Sequence, residues 1–367
     1  MSLSIVNVML GRMAGGLERM AAQYHSALVD MGHDVVTIGH PDAWIRTQLA
    51  PSASYRAMRA SRISALDRLR VARVMTSVQA DVVIAHGRLA VECIPKTSDR
   101  ALRRESAPRA VQIGVMHNFR FNERLRKMDA WFAVSPGVAS ALRLVPAGQS
   151  VETVENFTDL IGESGRAPWS GCPKIGAIGR LHANKGFDLL LTALAQPDIR
   201  ARSWTLTIAG DGPERPALQA LAKTLGLAGR VTFTGWVDDR RAFYSAVDLV
   251  CIPSRQEPFG LVLLEALAHR LPVVASAASG FVDIATDGVH ALLAPLNEID
   301  GFSARIANLL DDSTEALEMG RRGQEMVERR FLYPAFRQRL DAAIIAVESR
   351  RRTGSLERLG DIASVTA

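Results

Sequence analysis

With 367 residues, the chain is too long for one ordinary core and long enough for two. It is 48% hydrophobic but only 6% aromatic, and this composition argues for an α/β protein over a sandwich or barrel. Cys93, Cys172 and Cys251 lie far apart, without metal-ligand spacing, which excludes a disulfide framework and fits a reducing compartment. The net charge of +6 is uneven: residues 43–127 hold 17 Lys/Arg against 6 Asp/Glu, so the remainder is slightly acidic. A field of that sign favours an anionic partner such as a membrane face, nucleic acid, or a charged lipid or glycan. Solvated helix faces are the plainer account of any single arginine.

The opening MSLSIVNVMLGRM lacks a basic leader, and its apolar run is too short for a signal peptide. No run approaches the roughly 18 apolar residues of a membrane span. The expectation is a cytoplasmic protein, free or held at the inner face of the membrane. The first strand, SIVNVML, is followed by Gly15 and Gly16 and then an amphipathic helix. A glycine-rich strand-to-helix loop lets backbone approach a ligand closely, though a tight turn reads the same way. The order is not G-x-G-x-x-G, which counts against a dinucleotide.

DVVTIG, DVVIAHG, AVQIGVMH and AWFAVS continue the first set of strands. Between the first two of these, RAMRASRISALDRLRVARVM (56–75) sets arginines beside Ile63, Leu66 and Leu69. That suits a helix lying on anionic lipid, or one packed on its own sheet. His117 ends AVQIGVMH at the carboxyl side, where it is a polar plug or a ligand for substrate. A segment rich in Gly, Pro and Ser over 156–173 reads as a linker.

A second set follows: KIGAIG, WTLTIAG, VTFTG, DLVCIPS, LPVVAS and HALLAP. Apolar on both faces and separated by helix-length segments, both sets read as buried parallel strands of a doubly wound sheet. The predicted organisation is two Rossmann-like domains over 1–160 and 161–333, a helix over 334–350 crossing back to the first, and a tail over 351–367.

Ligands of open α/β sheets sit beyond the carboxyl ends of the strands. GRLHANKGFDLLLTAL, directly after KIGAI, therefore places Arg180 and Lys185 at a crevice mouth, where two cations suit a diphosphate. In PSRQEPFGLVLLEALAHR, Pro258 beside Phe259-Gly260 marks the first turn of a helix running to about His269. The unpaired N–H groups of that start suit phosphate oxygens. Glu257, just ahead, can accept from sugar hydroxyls, and Glu265, two turns in, leans back within reach of a ribose diol. His182, His269 and His290 lack such settings and read as structural. No G-x-x-x-x-G-K-[ST], G-x-S-x-G, H-E-x-x-H or Asp-x-Asp stands at a strand end. Phosphate charge falls to Arg180, Lys185 and helix starts, so no metal or other cofactor is expected.

Together these residues resemble family 4 of the glycosyltransferases, retaining enzymes of the GT-B fold, in which two Rossmann-like domains face each other across a cleft. The likeness covers nearly the whole chain and is strongest over 174–295, with the paired glutamates at Glu257 and Glu265. It implies that Arg180 and Lys185 hold the diphosphate and that Glu257 contacts the sugar. The backbone of Phe259, Gly260 and Leu261 would close around both, and Glu265 would bind ribose. Gly16, beside Gly15, would approach the phosphate and His117 the sugar, with base recognition on backbone near Trp236-Val237. Two phrases depart from the family pattern: Ser279-Gly280-Phe281-Val282-Asp283 replaces one ending in Glu, and VENFTD replaces a Pro-Asn-Gly turn.

The resemblance implies hexosyl transfer from a nucleoside-diphosphate sugar, and the basic stretch suggests a glycan or lipid-linked acceptor at the membrane face, in bacterial envelope polysaccharide or lipopolysaccharide synthesis. Nucleic acid is not expected as a partner. The alternatives are a nucleotide-sugar epimerase of the same fold, which would need acid/base carboxylates, and an inactive nucleotide- or carbohydrate-binding subunit.

Overall fold

The computed structural model describes residues 2–13, 15–60, 64–95, 110–119, 128–143, 149–162 and 166–352. The chain divides into two compact units, Met1–Asn156 with Phe336–Ala367, and Phe157–Ala335.

In the first unit, β1 (Ser4–Met9), β2 (Asp34–Gly39), β3 (Ser54–Ala57), β4 (Val82–His86), β5 (Val111–Met116), β6 (Ala130–Ala133) and β7 (Ser150–Thr153) form one parallel sheet. Its order is β3-β2-β1-β4-β5-β6-β7. In the second unit, β8 (Lys174–Ile178), β9 (Thr205–Ala209), β10 (Val231–Gly235), β11 (Leu249–Ile252), β12 (Val273–Ser276) and β13 (Leu292–Ala294) are again parallel, in the order β10-β9-β8-β11-β12-β13. The winding reverses between β1 and β4 and between β8 and β11. At these switch points neighbouring loops leave in opposite directions and open a crevice.

Every strand expected from an apolar run is present. Two strands were missed, β3 and β7, and both are sheet edges. β4 and β5 are buried at every residue, whereas β3 has none buried and β7 only Ser150. An edge strand covered on fewer sides needs no continuous apolar run.

The helix expected over 56–75 is corrected. Arg56 belongs to β3, hydrogen-bonded beside β2, and the helix spans Ala65–Ser77. Ser64 starts it: its hydroxyl accepts from Asp67 N–H while Asp67 reaches back to Ser64 N–H, a capping box. Ile63 lies outside the described residues, as do 61–63, 96–109 and 120–127 of the basic stretch and 353–367 of the expected tail.

Within the span read as a linker, Arg166 donates to the carbonyls of His269, Val247 and Tyr244 at 2.8, 2.7 and 2.6 Å. Gly162 N–H donates to Ala268 O at 3.0 Å. This segment is therefore docked on the second unit. The helix Tyr333–Arg352 buries Phe336, Leu340, Ile344 and Val347 at helical spacing, with Phe336 against Tyr24 at 5.3 Å between ring centroids. No helix among the described residues is long and apolar enough to cross a membrane.

Burial pushes six of the eight histidines below their ordinary value: His25, His33, His86, His117, His269 and His290. His117 and His269 fall to about 4. The folded chain holds these rings neutral, whereas the unfolded chain protonates them below about pH 6.5. Their contribution to stability is thus complete above that pH and is lost as pH falls towards the folded values. The thermal midpoint should drop by about 4 °C or more between pH 7.5 and 5, before most carboxylates titrate. A flat midpoint over that window would contradict the assignment.

Candidate active site

The crevice of the second sheet is built by the loops behind β8 and β11. Behind β8, Gly179 N–H donates to Ala209 O and Leu181 N–H to Asp211 O, both at 2.9 Å. Arg180 sits between these anchored residues. It is exposed, and among the described residues its guanidinium has no partner. Lys185 closes a short turn, Ala183–Lys185, before the helix Phe187–Leu194. Between them Gly186 takes φ 68°, and a Cβ there would lie 2.1 Å from Pro253 O on the loop behind β11. Only glycine permits both the backbone and the contact.

Glu257 is on that second loop, and Lys185 Nζ donates to its Oε2 at 2.7 Å. The side chains are 24% and 13% exposed, so the pair is partly shielded from water. A small pocket, open in part to solvent, is lined by Lys185, Glu257, Ser254, Cys251, Ile178 and Val262 among others.

Arg255, which sequence reading did not single out, fastens the two loops together. Its two terminal nitrogens donate to the two oxygens of Asp188, each at 2.7 Å. It also donates to Ala183 O at 2.8 Å and Asn297 Oδ1 at 3.1 Å, and its backbone N–H to Asn184 O at 2.9 Å. Hydrogen bonding from Arg255 holds the Asp188 carboxyl below the usual range. A bidentate, charge-assisted pair fixes angle as well as distance. Lys185 and Glu257 therefore face each other from loops locked in register.

The helix expected to begin at Pro258-Phe259-Gly260 begins instead at Leu261 and runs to Ala268. Gly260 is its N-cap with φ 120°, a left-handed backbone that cannot belong to the helix. Leu264 N–H donates to Gly260 O at 3.1 Å, which leaves the N–H groups of Leu261, Val262 and Leu263 without intrahelical acceptors. Phe259 is buried, 6.1 Å from the Phe331 ring between centroids, so it can offer a ligand backbone rather than its ring. Gly280 N–H donates to Glu257 O at 2.9 Å. The departing phrase 279–283 thus supports the Glu257 loop, and Asp283 is half-buried.

Glu265 lies on the same helix, away from Lys185. It is 4% exposed, with Tyr244 donating to Oε2 at 3.0 Å and Arg240 to Oε1. Burial pushes the Tyr244 phenol far up, so it remains a donor. The backbone carbonyl of Glu265 accepts from His269 Nδ1 at 2.7 Å, which gives that histidine a structural role. Trp236, behind β10, is exposed and donates to Asp238 Oδ1 at 2.9 Å.

In the first unit, Gly15 is the extended N-cap of the helix Gly16–Asp30, without a side-chain cap, and Gly16 is exposed. His117 follows β5 directly. Its Nε2 lies 3.4 Å from Nδ1 of His86, the last residue of β4. His86 was missed, although it ends an apolar strand just as His117 does.

A parallel doubly wound sheet in each unit, with a paired Lys and Glu, an unpaired Arg and a glycine-capped helix start at the second switch point, defines a glycosyltransferase of the GT-B fold. Residues 172–312 match the family model for glycosyl transferases group 1. Over 328 residues the chain is 28% identical to the lipopolysaccharide core biosynthesis glycosyltransferase LpsE of Rhizobium meliloti, covering 86% of this chain and 92% of that one. LpsD of the same organism is 27% identical over 328 residues, covering 86% and 91%. Among solved structures, Anabaena HepE in complex with UDP and glucose superposes with a TM-score of 0.79 at 21% identity, covering 94% of this chain and 100% of that one.

Arg255→Ala should release the two loops while leaving Lys185 and Glu257 in the chain. A misplacement of about 1 Å costs on the order of 100-fold, so kcat/KM should fall by about that factor in a protein whose far-ultraviolet spectrum is unchanged. Full activity in the folded variant would remove the clamp from the argument.

Proposed function

We propose that this glycosyltransferase transfers a hexosyl group, with retention, from a nucleoside-diphosphate sugar to a glycan or lipid-linked acceptor of bacterial cell-envelope polysaccharide or lipopolysaccharide synthesis. The observation that carries this reading is the Lys185–Glu257 pair beside unpaired Arg180 and the Leu261 helix start. As the sugar–oxygen bond breaks, negative charge grows on the diphosphate. Arg180, Lys185 and the N–H groups of Leu261, Val262 and Leu263 oppose it. Glu257 accepts from sugar hydroxyls, Glu265 from ribose, and the backbone of Phe259, Gly260 and Leu261 lies along sugar and phosphate. Gly15 and Gly16 give backbone to the phosphate, and His117 touches the sugar. Among the described residues no carboxylate stands out as a covalent nucleophile, so the acceptor attacks from the face the diphosphate leaves, and a phosphate oxygen takes its proton.

Three cationic features serve the diphosphate, so no metal is required and turnover should survive a chelator. The part of the two Rhizobium relatives in lipopolysaccharide core biosynthesis supports the envelope-glycan acceptor. The UDP held by the Anabaena neighbour makes UDP the first nucleotide to test.

Lys185→Ala should lower kcat by about 100- to 1,000-fold without unfolding the chain. A folded, fully active variant would sink the proposal. In parallel, UDP, GDP, ADP, dTDP and their sugar conjugates can be screened by thermal shift. A ligand at 100 times its Kd should stabilise the folded state by about 2.7 kcal/mol, and silence from all of them would favour a binding-subunit reading without a donor site.

Membrane attachment belongs to the same proposal. On the helix Ala65–Ser77, Leu66 is 65% exposed, and Arg70 and Arg73 follow at helical spacing on the exposed face. An exposed leucine beside arginines suits an anionic lipid surface. The protein should sediment with anionic but not neutral vesicles and be released by high salt, whereas indifference to lipid charge would refute docking.

A further inference from the structure

Behind His117 the first unit buries a row of polar side chains that the donor chemistry leaves unused. Thr37, Asn7 and His86 lie on the adjacent strands β2, β1 and β4, His117 follows β5, and His25 closes the row from the helix Gly16–Asp30. Thr37, Asn7, His86 and His25 are all buried. The contacts run His25 Nδ1 to Thr37 Oγ1 at 2.9 Å, Thr37 Oγ1 to Asn7 Nδ2 at 3.2 Å, Asn7 Oδ1 to His86 Nε2 at 2.9 Å, and His86 Nδ1 to His117 Nε2 at 3.4 Å.

Each of these contacts dictates the next. The carbonyl of Ala21 can only accept, so the Asn7 atom 3.1 Å from it is the amide nitrogen. The amide oxygen must then face His86. An amide oxygen cannot donate, so His86 carries its hydrogen on Nε2. Burial, with His117 close by, holds His86 far below the ordinary histidine value. Neutral His86 therefore leaves Nδ1 as a bare lone pair. What meets that lone pair is His117 Nε2, which must bear a hydrogen. Among the described residues nothing else bonds His117 Nδ1.

We propose that His86, oriented by Asn7, is a positioning residue that holds His117 as its Nε2–H tautomer, so that the ring presents Nδ1 to the ligand as an acceptor. The inference about the ligand rests on the reading that His117 touches the donor. A bare Nδ1 accepts from a sugar hydroxyl and offers nothing to a phosphate oxygen, which itself only accepts. His117 thereby favours the polyol part of the donor over its diphosphate. Tyr24, edge-on to His86 at 4.8 Å between centroids, walls the row from the side.

The test is a long-range proton–nitrogen spectrum of the full chain labelled with nitrogen-15 histidine, near neutral pH and without ligand, with the His117→Gln spectrum assigning the ring. The expected result is His117 and His86 both protonated at Nε2 and bare at Nδ1. A His117 ring protonated at Nδ1, or averaged over both nitrogens, overturns the proposal. Asn7→Asp places a carboxylate against His86 and favours a second proton on it. His86 would then donate from Nδ1, and His117 should switch to the Nδ1–H tautomer with kcat/KM down about tenfold. A folded Asn7→Asp with His117 unchanged also overturns the relay. If that variant does not fold, the same reading comes from His86→Phe, in which His117 should average over both tautomers, and from the wild-type spectrum. A fixed tautomer together with an undiminished His117→Ala would uphold the relay and remove the sugar contact.

Discussion

Lysine and glutamate drawn together at 2.7 Å neutralise each other, and left alone such a pair would offer a ligand little. Its value here comes from the constraint behind it. Arg255 grips Asp188 with two bonds and the Ala183 carbonyl with a third, so the loops behind β8 and β11 cannot slide past each other. Gly186, without a Cβ, lets Pro253 O come as close as the space a methyl group would fill. On the proposed reading, an anion entering beside Arg180 meets a lysine whose position is already set, and the reorganisation that would otherwise oppose charge transfer is largely removed.

The two units share a strand order and use their switch points differently. The second gathers cations and bare N–H groups around β8 and β11. The first lines the ends of β1, β4 and β5 with neutral amide and imidazole groups, held neutral by burial. One fold thus supplies a charged crevice and an uncharged, orientation-specific one. Side chains near the strand ends and on the loops behind them decide the difference, not the sheet.

Legibility followed burial in part. β4 and β5, buried at every residue, must be apolar throughout, and eleven of the thirteen strands among the described residues, the edge strands β10 and β13 included, stood out in the sequence. β3 and β7, at the edges, have no such obligation. The stretch 56–75 misled because its leucines and arginines suit a helix throughout, while Arg56 is claimed by backbone pairing with β2, which leaves no mark in side-chain pattern. In the candidate site, Arg180, Lys185, Glu257 and Glu265 were singled out because strand, turn and helix start occur in fixed local order around them. Arg255, Arg240, Tyr244 and His86 were not, since each acts through a partner distant in sequence: Asp188 lies 67 residues from Arg255, and Asn7 lies 79 from His86.

The bare helix start at Leu261 has a consequence for how such an enzyme can change. Its N–H groups belong to the main chain, so replacing the side chains of Leu261, Val262 or Leu263 leaves the unpaired dipoles where they are. Gly260 alone is fixed by geometry, with φ 120° and the Phe281 ring 2.7 Å from where a Cβ would sit. Under the proposed function, recognition of the common part of the donor is thereby separated from recognition of the variable part. Substitutions around the sugar can alter which donor is used without rebuilding the means of holding it.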